Sequence, residues 1–119
     1  MARIVRRRRR GVRSVGCMIV RASETHLRDG VEDEFVERLV ELVSSFPSRY
    51  PGMLRHEVLV DDGDARRVQY VSVWADEVAL EDYAGPEWRT SPVTFPDEER
   101  FLTCPLELRH FVSVDIERV

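Results

Sequence analysis

Residues 15–23 are β-prone, and both of their alternating sets are apolar. Val15, Cys17 and Ile19 share one face, while Met18, Val20 and Ala22 share the other. A strand that is apolar on both faces belongs at the centre of a sheet. The period then lengthens. Phe35, Leu39, Leu42, Val43 and Phe46 recur at helical spacing, with Glu32, Asp33, Glu34, Glu37 and Glu41 on the outer face. Asp29 is placed to cap this helix, with Glu32 completing a capping box. Pro47 ends it, and Tyr50-Pro51-Gly52 turns the chain out.

Two strands follow, over residues 53–60 and 68–75. The connection Asp61-Asp62-Gly63-Asp64 reads as a hairpin, because it lacks the spacing and the distal glutamate of a calcium loop. Asp76 caps a second helix that runs to about Tyr83. After Gly85-Pro86 comes an irregular stretch, then a short helical turn over residues 97–102, then a last strand over 106–114. The order βαββαβ predicts a ferredoxin-like α+β fold, a four-stranded antiparallel sheet with both helices on one face. On the third strand, Val71, Val73 and Ala75 suit the helix side. Val68, Tyr70, Ser72 and Trp74 would then lie on the open side, an apolar face that calls for a second copy of the chain.

Length and charge refine this picture. At 119 residues the chain is one domain. Its net charge of −4 conceals an asymmetry, with seven arginines and no acids in residues 1–13 and 11 arginines against 22 acids in the rest. Residues 1–13 therefore read as a disordered basic arm and residues 14–119 as the domain. Five consecutive arginines could neutralise phosphates. No aromatic is interleaved with them and the body is acidic, so the pattern argues against nucleic acid as a partner. The chain has no lysine for a Schiff base and no asparagine to donate to an oxyanion. The absence of these AT-rich codons points to a GC-rich bacterial genome. Cys17 and Cys104 show neither zinc nor disulfide-framework spacing and read as free thiols. The apolar run at residues 15–20 is too short for an export signal, and no stretch approaches membrane-spanning length. The expectation is a cytoplasmic protein with no membrane partner and no metal site.

Three segments together resemble the antibiotic biosynthesis monooxygenase domain of the dimeric α/β barrel superfamily. They are the helix start Gly30-Val31-Glu32-Asp33-Glu34-Phe35, the turn Tyr50-Pro51-Gly52, and the run Val71-Ser72-Val73-Trp74-Ala75-Asp76-Glu77-Val78-Ala79-Leu80. The resemblance spans about residues 15–115. It implies a homodimer whose sheets close into a barrel, with a pocket in each protomer between the sheet's open face and the second helix. It also implies no cofactor in those relatives that oxygenate polyketide-like phenols and quinols, where the deprotonated substrate itself reduces dioxygen. Other similar proteins degrade haem with an asparagine, a tryptophan and a histidine. This chain has no asparagine, and no histidine between Glu57 and Arg109, which argues against that activity.

Within the resemblance, Trp74 matches a tryptophan that lines the family's pocket. Tyr70 and Ser72 share its face, and a phenol beside an indole could orient a quinol or share its proton. His56 and His110, on matching faces of their strands, are candidate general bases. Trp74, Tyr70, His56 and His110 are thus the catalytic candidates. Ser72, Tyr83, Trp88 and Arg21 are the substrate-binding ones, with Arg21 able to hold a phenolate or carboxylate. Each also has a structural reading: packing for the aromatics and histidines, and an ion pair with Glu57 or Glu107 for Arg21 and Arg109. Two functions follow, a cofactor-independent monooxygenase of a small aromatic molecule and a non-catalytic ligand-binding barrel.

Overall fold

The described residues of this computed structural model are 2–5 and 18–118, with side chains placed over 18–116. Strand β1 is Ala2–Val5, β2 Ile19–His26, β3 Met53–Asp61, β4 Asp64–Trp74, β5 Glu107–Val112 and β6 Asp115–Arg118. The helices are α1 Glu32–Val43, α2 Phe46–Arg49 and α3 Glu77–Ala84, with a 3-10 turn at Glu98–Arg100. Strands β3-β4-β2-β5 form one antiparallel sheet in that order, which puts β2 inside it as its two apolar faces require. β1 and β6 make a separate antiparallel pair. Ala2–Val5 lie within the stretch expected to be disordered and are strand; residues 6–17, with Cys17 and six of the arm's seven arginines, fall outside the described residues.

Local chemistry explains most element boundaries, with two departures from expectation. The start of α1 is not the Asp29 cap. Gly30 adopts φ +88°, which makes Val31 the N-cap, and no side chain caps there. Glu32, Asp33 and Glu34 in the first turn meet the helix dipole instead. Pro47 does more than end α1, because it occupies the first turn of α2, where its missing N–H is harmless. At α3, Asp76 Oδ1 accepts from the Ala79 N–H at 2.9 Å, the expected cap. A Cβ at Gly52 would overlap the Ala79 side chain, so glycine there lets the turn into β3 approach α3.

The sheet faces are the reverse of the expected assignment. Val68, Tyr70, Ser72 and Trp74 lie under the helices, and all four are buried. Tyr70 packs on Phe46, and Trp74 packs on Tyr50 and Tyr83. The open face is built from the rows Arg55–Val73–Val20–Phe111 and Glu57–Val71–Ala22–Arg109. Alternation fixes which residues share a face, but when both sets are apolar it does not say which set meets the helices. Volume decided it, since the indole and phenol rings fill the space under α1 and α3 while valine and alanine suffice for the flat side. A bulge at Leu54 between Met53 and Arg55 sets the phase of β3. Among the described residues, no helix is long and apolar enough to cross a membrane.

Candidate functional site

Four residues form one row across the helix-covered face: His56 on β3, Ser72 on β4, Arg21 on β2 and His110 on β5. Arg21 is the centre of the site. Its side chain is only 3% exposed, and among the described residues no carboxylate pairs with it. Glu57 lies on the opposite face, and Glu107 pairs with Arg109 at 3.6 Å, so the expected ion pair for Arg21 does not form. Instead Arg21 Nη1 donates to the Trp88 carbonyl at 2.8 Å and Nη2 to the Ser91 carbonyl at 3.1 Å. Nη1 also lies 3.2 Å from His110 Nε2. Burial lowers the guanidinium pKa from its ordinary value, opposed by the charge interaction with Tyr83.

His110 is matched to this cation. Burial first, then Arg21 and Arg89, push its pKa down to about 4. The ring is therefore neutral near pH 7, and its Nε2 can accept from Arg21. A histidine held down in the fold is protonated more readily when unfolded. Its contribution to stability is then full above pH 6.5 and is lost as pH falls toward 4. Comparing chemical unfolding of wild type and His110→Gln across pH 7 to 4 should show their stability gap closing by about 1–2 kcal/mol. A gap that stays constant would show that His110 does not titrate in this way.

The other predicted residues gather around Arg21 in unequal ways. Trp74 is fully buried and stacked on Tyr83 at 4.8 Å and 21°, and its Nε1–H donates to Ser72 Oγ at 2.9 Å. That bond commits both groups to each other. Tyr83 lies under the Arg21 guanidinium, 5.8 Å from ring centroid to Cζ. Its hydroxyl pKa is pushed up to about 12, mainly by burial. Trp88 stands edge-on to His110 at 4.8 Å and carries Arg89 over its ring. Tyr70 Oη and His56 Nδ1 share a 2.7 Å hydrogen bond, with burial holding the phenol neutral.

Arg21, Tyr70 and Tyr83 also line an internal cavity of about 30 Å³ between the sheet and α1. Trp74, Ser72, His56, His110 and Trp88 are outside its lining. Tyr70 has a second aspect, because with His56 it also lines a surface groove of about 270 Å³ beside Val40 and Val43. The phenol thus separates the interior cavity from the edge of β3.

Three polar residues of the lining were missed by the sequence reading: Ser23, Thr25 and Glu98. Ser23 and Thr25 follow Arg21 at strand period, so alternation could have found them. Glu98 sits three residues from both Phe95 and Phe101, a spacing that turns it inward with those buried rings. On the open face, Glu24, His26 and Glu107 are close enough together to hold a cation. Glu24 is already bonded there to Gln69 and Arg67.

The comparisons with known proteins agree with this architecture. The sequence pattern of the antibiotic biosynthesis monooxygenase family matches residues 18–90. No curated protein matches the sequence significantly. Among solved structures, one of an antibiotic biosynthesis monooxygenase superposes with TM-score 0.64 at 18% identity, covering 82% of this chain and 99% of the other. A Shewanella oneidensis protein gives TM-score 0.64 at 14% identity over 99% of this chain and 100% of its own. A heme-degrading protein of Mycobacterium tuberculosis gives 0.56 at 17%, over 82% and 91%. These identities establish a shared fold and nothing finer. The family pattern spans more than half the chain and contains β2, α1, β3, β4 and α3: the protein belongs to the antibiotic biosynthesis monooxygenase family.

Proposed function

We propose that this chain is a cofactor-independent cytoplasmic monooxygenase that takes a small phenolic or quinolic aromatic as its anion. One observation carries the reading. Arg21 is a buried cation bonded to backbone carbonyls and a neutral imidazole, with no carboxylate partner among the described residues. A desolvated guanidinium of that kind favours an incoming oxyanion. Tyr83 and the phenylalanines Phe35 and Phe46 supply apolar walls. In the proposed reaction the bound phenolate supplies the electrons. One atom of dioxygen enters the substrate and the other leaves as water, with protons also drawn from the substrate. The protein's part is to lower the phenol's pKa, exclude water and fix the ring.

The cavity bounds how this happens. About 30 Å³ holds one or two waters and not an aromatic ring. Binding therefore requires residues 85–97 to move, the segment whose Trp88 and Ser91 carbonyls hold Arg21. The same small volume favours the second reading, a non-catalytic barrel that binds a small ligand. Oxygen uptake with a panel of naphthoquinols, with no metal or flavin added, separates the two. Saturable uptake above the uncatalysed rate is expected. Quinol binding without any uptake would leave the second reading standing.

We also propose a homodimer through the open face. Val20, Ala22, Val71 and Val73 form its middle, and Phe111 is 53% exposed beside them. Glu57 and Arg109 end the same row on opposite edge strands. A two-fold axis parallel to the strands would set each glutamate over the other copy's arginine, so the face is self-complementary.

A further inference from the structure

We propose that Glu98 is a second ligand-facing group of the cavity, selecting aromatics that carry a hydroxyl in addition to the oxygen bound by Arg21. This rests on the aromatic-anion reading of the site and adds to it the residue that tells a quinol from a simple phenol.

Glu98 lines the same cavity as Arg21 and is 6% exposed. Its Oε2 is the one buried side-chain oxygen or nitrogen among the described residues with no hydrogen-bond partner. Burial raises the carboxyl pKa, Glu99 adds to that, and a hydrogen bond from the Phe95 backbone opposes it. The turn that carries it is also unusual, since Asp97 just before it adopts φ +71°, a left-handed conformation at a residue other than glycine.

A structural role does not account for this placement. A buried polar atom without a partner lowers stability, and an apolar residue of similar size would fill the space between Phe95 and Phe101 at no such cost. Two neighbouring polar groups have their own partners: Thr25 Oγ1 donates to the Val68 carbonyl at 3.0 Å, and Tyr70 bonds His56. Glu98 is the group left to recognise something that enters. A carboxyl can accept from a ligand hydroxyl, or, when protonated, donate to its oxygen. With a cation on β2 and a carboxyl on the turn before β5 lining one cavity, two polar groups of a single molecule can be recognised at once.

The test uses the full chain under nitrogen, titrated with 1,4-dihydroxynaphthalene and with 1-naphthol, which lacks the second hydroxyl. Wild type is expected to bind the diol at least about tenfold more tightly, because the mono-ol leaves the carboxyl unpaired. Glu98→Leu should bring the two affinities together by weakening the diol alone, and Glu98→Gln should retain part of the preference. Both variants should melt at or above the wild-type temperature. Equal affinities in wild type, an unchanged preference in Glu98→Leu, or a lowered melting temperature in both variants would each overturn the role of Glu98. The first two outcomes leave the aromatic site intact. Failure of wild type to bind either probe removes both readings together.

Discussion

Arg21→Met is expected to weaken binding of phenolate ligands by about 100-fold or more while changing unfolding free energy by less than about 2 kcal/mol. The two effects separate because they have different origins. Ligand binding loses a charge-assisted contact made inside a water-poor cavity. Stability loses three hydrogen bonds but also sheds the desolvation of a guanidinium that no described carboxylate compensates. Methionine keeps the aliphatic stem that packs along β2. Calorimetric titration with a naphthol, beside thermal unfolding, measures both quantities on one variant. A variant that binds as well as wild type would remove Arg21 from the site. One that no longer folds would make it a structural residue.

Val71→Asp is expected to convert the proposed dimer into a monomer at micromolar concentration. Val71 sits in the middle of the open face beside Ala22, between Glu57 and Arg109. An aspartate there would be buried against a second copy with no partner, at about 3 kcal/mol or more per site, and the two-fold axis doubles the effect. Sedimentation velocity reads the outcome directly. A monomeric wild type would dismiss the dimer, and a variant that remains dimeric would place its interface elsewhere.

What the sequence made legible was whatever local chemistry determines. The apolar period of α1, the Asp76 cap and the hairpin at Asp61–Gly63 each depend on neighbours a few residues apart, and each appears where expected. The inward face of β4 was not legible, because Val71 and Val73 are as apolar as Val68 and Tyr70. Only the volume under α1 and α3 distinguishes them. The same reversal puts Tyr70, Ser72 and Trp74 on the helix-covered face and not on the open face where they were expected. Arg21 was found as a candidate, but its partners were not. They are carbonyls of an irregular segment and carry no side-chain signature. Glu98 was hidden for a related reason. Among 22 acids, nothing local marks the one that tertiary packing turns inward.

The two apolar faces also bear on how faithfully the sheet assembles. In a sheet with one polar face, a slip of one residue buries charge and exposes core, so the hydrophobic pattern rejects it. Here β4 and β2 could slide by one position and still set valine against alanine. Such a slip would take Tyr70 and Trp74 out from under the helices, and it would also break a set of directional bonds. Glu24 would lose Gln69 at 2.7 Å and its two bonds to Arg67, and Thr25 would lose the Val68 carbonyl. The Glu24 contacts lie on the open face, on the other side of the sheet from the cavity, whereas Thr25 and Val68 are part of its lining. These bonds act as alignment marks, confining a permissive pattern of valines to the one pairing that sets Arg21, Ser72, His56 and His110 side by side.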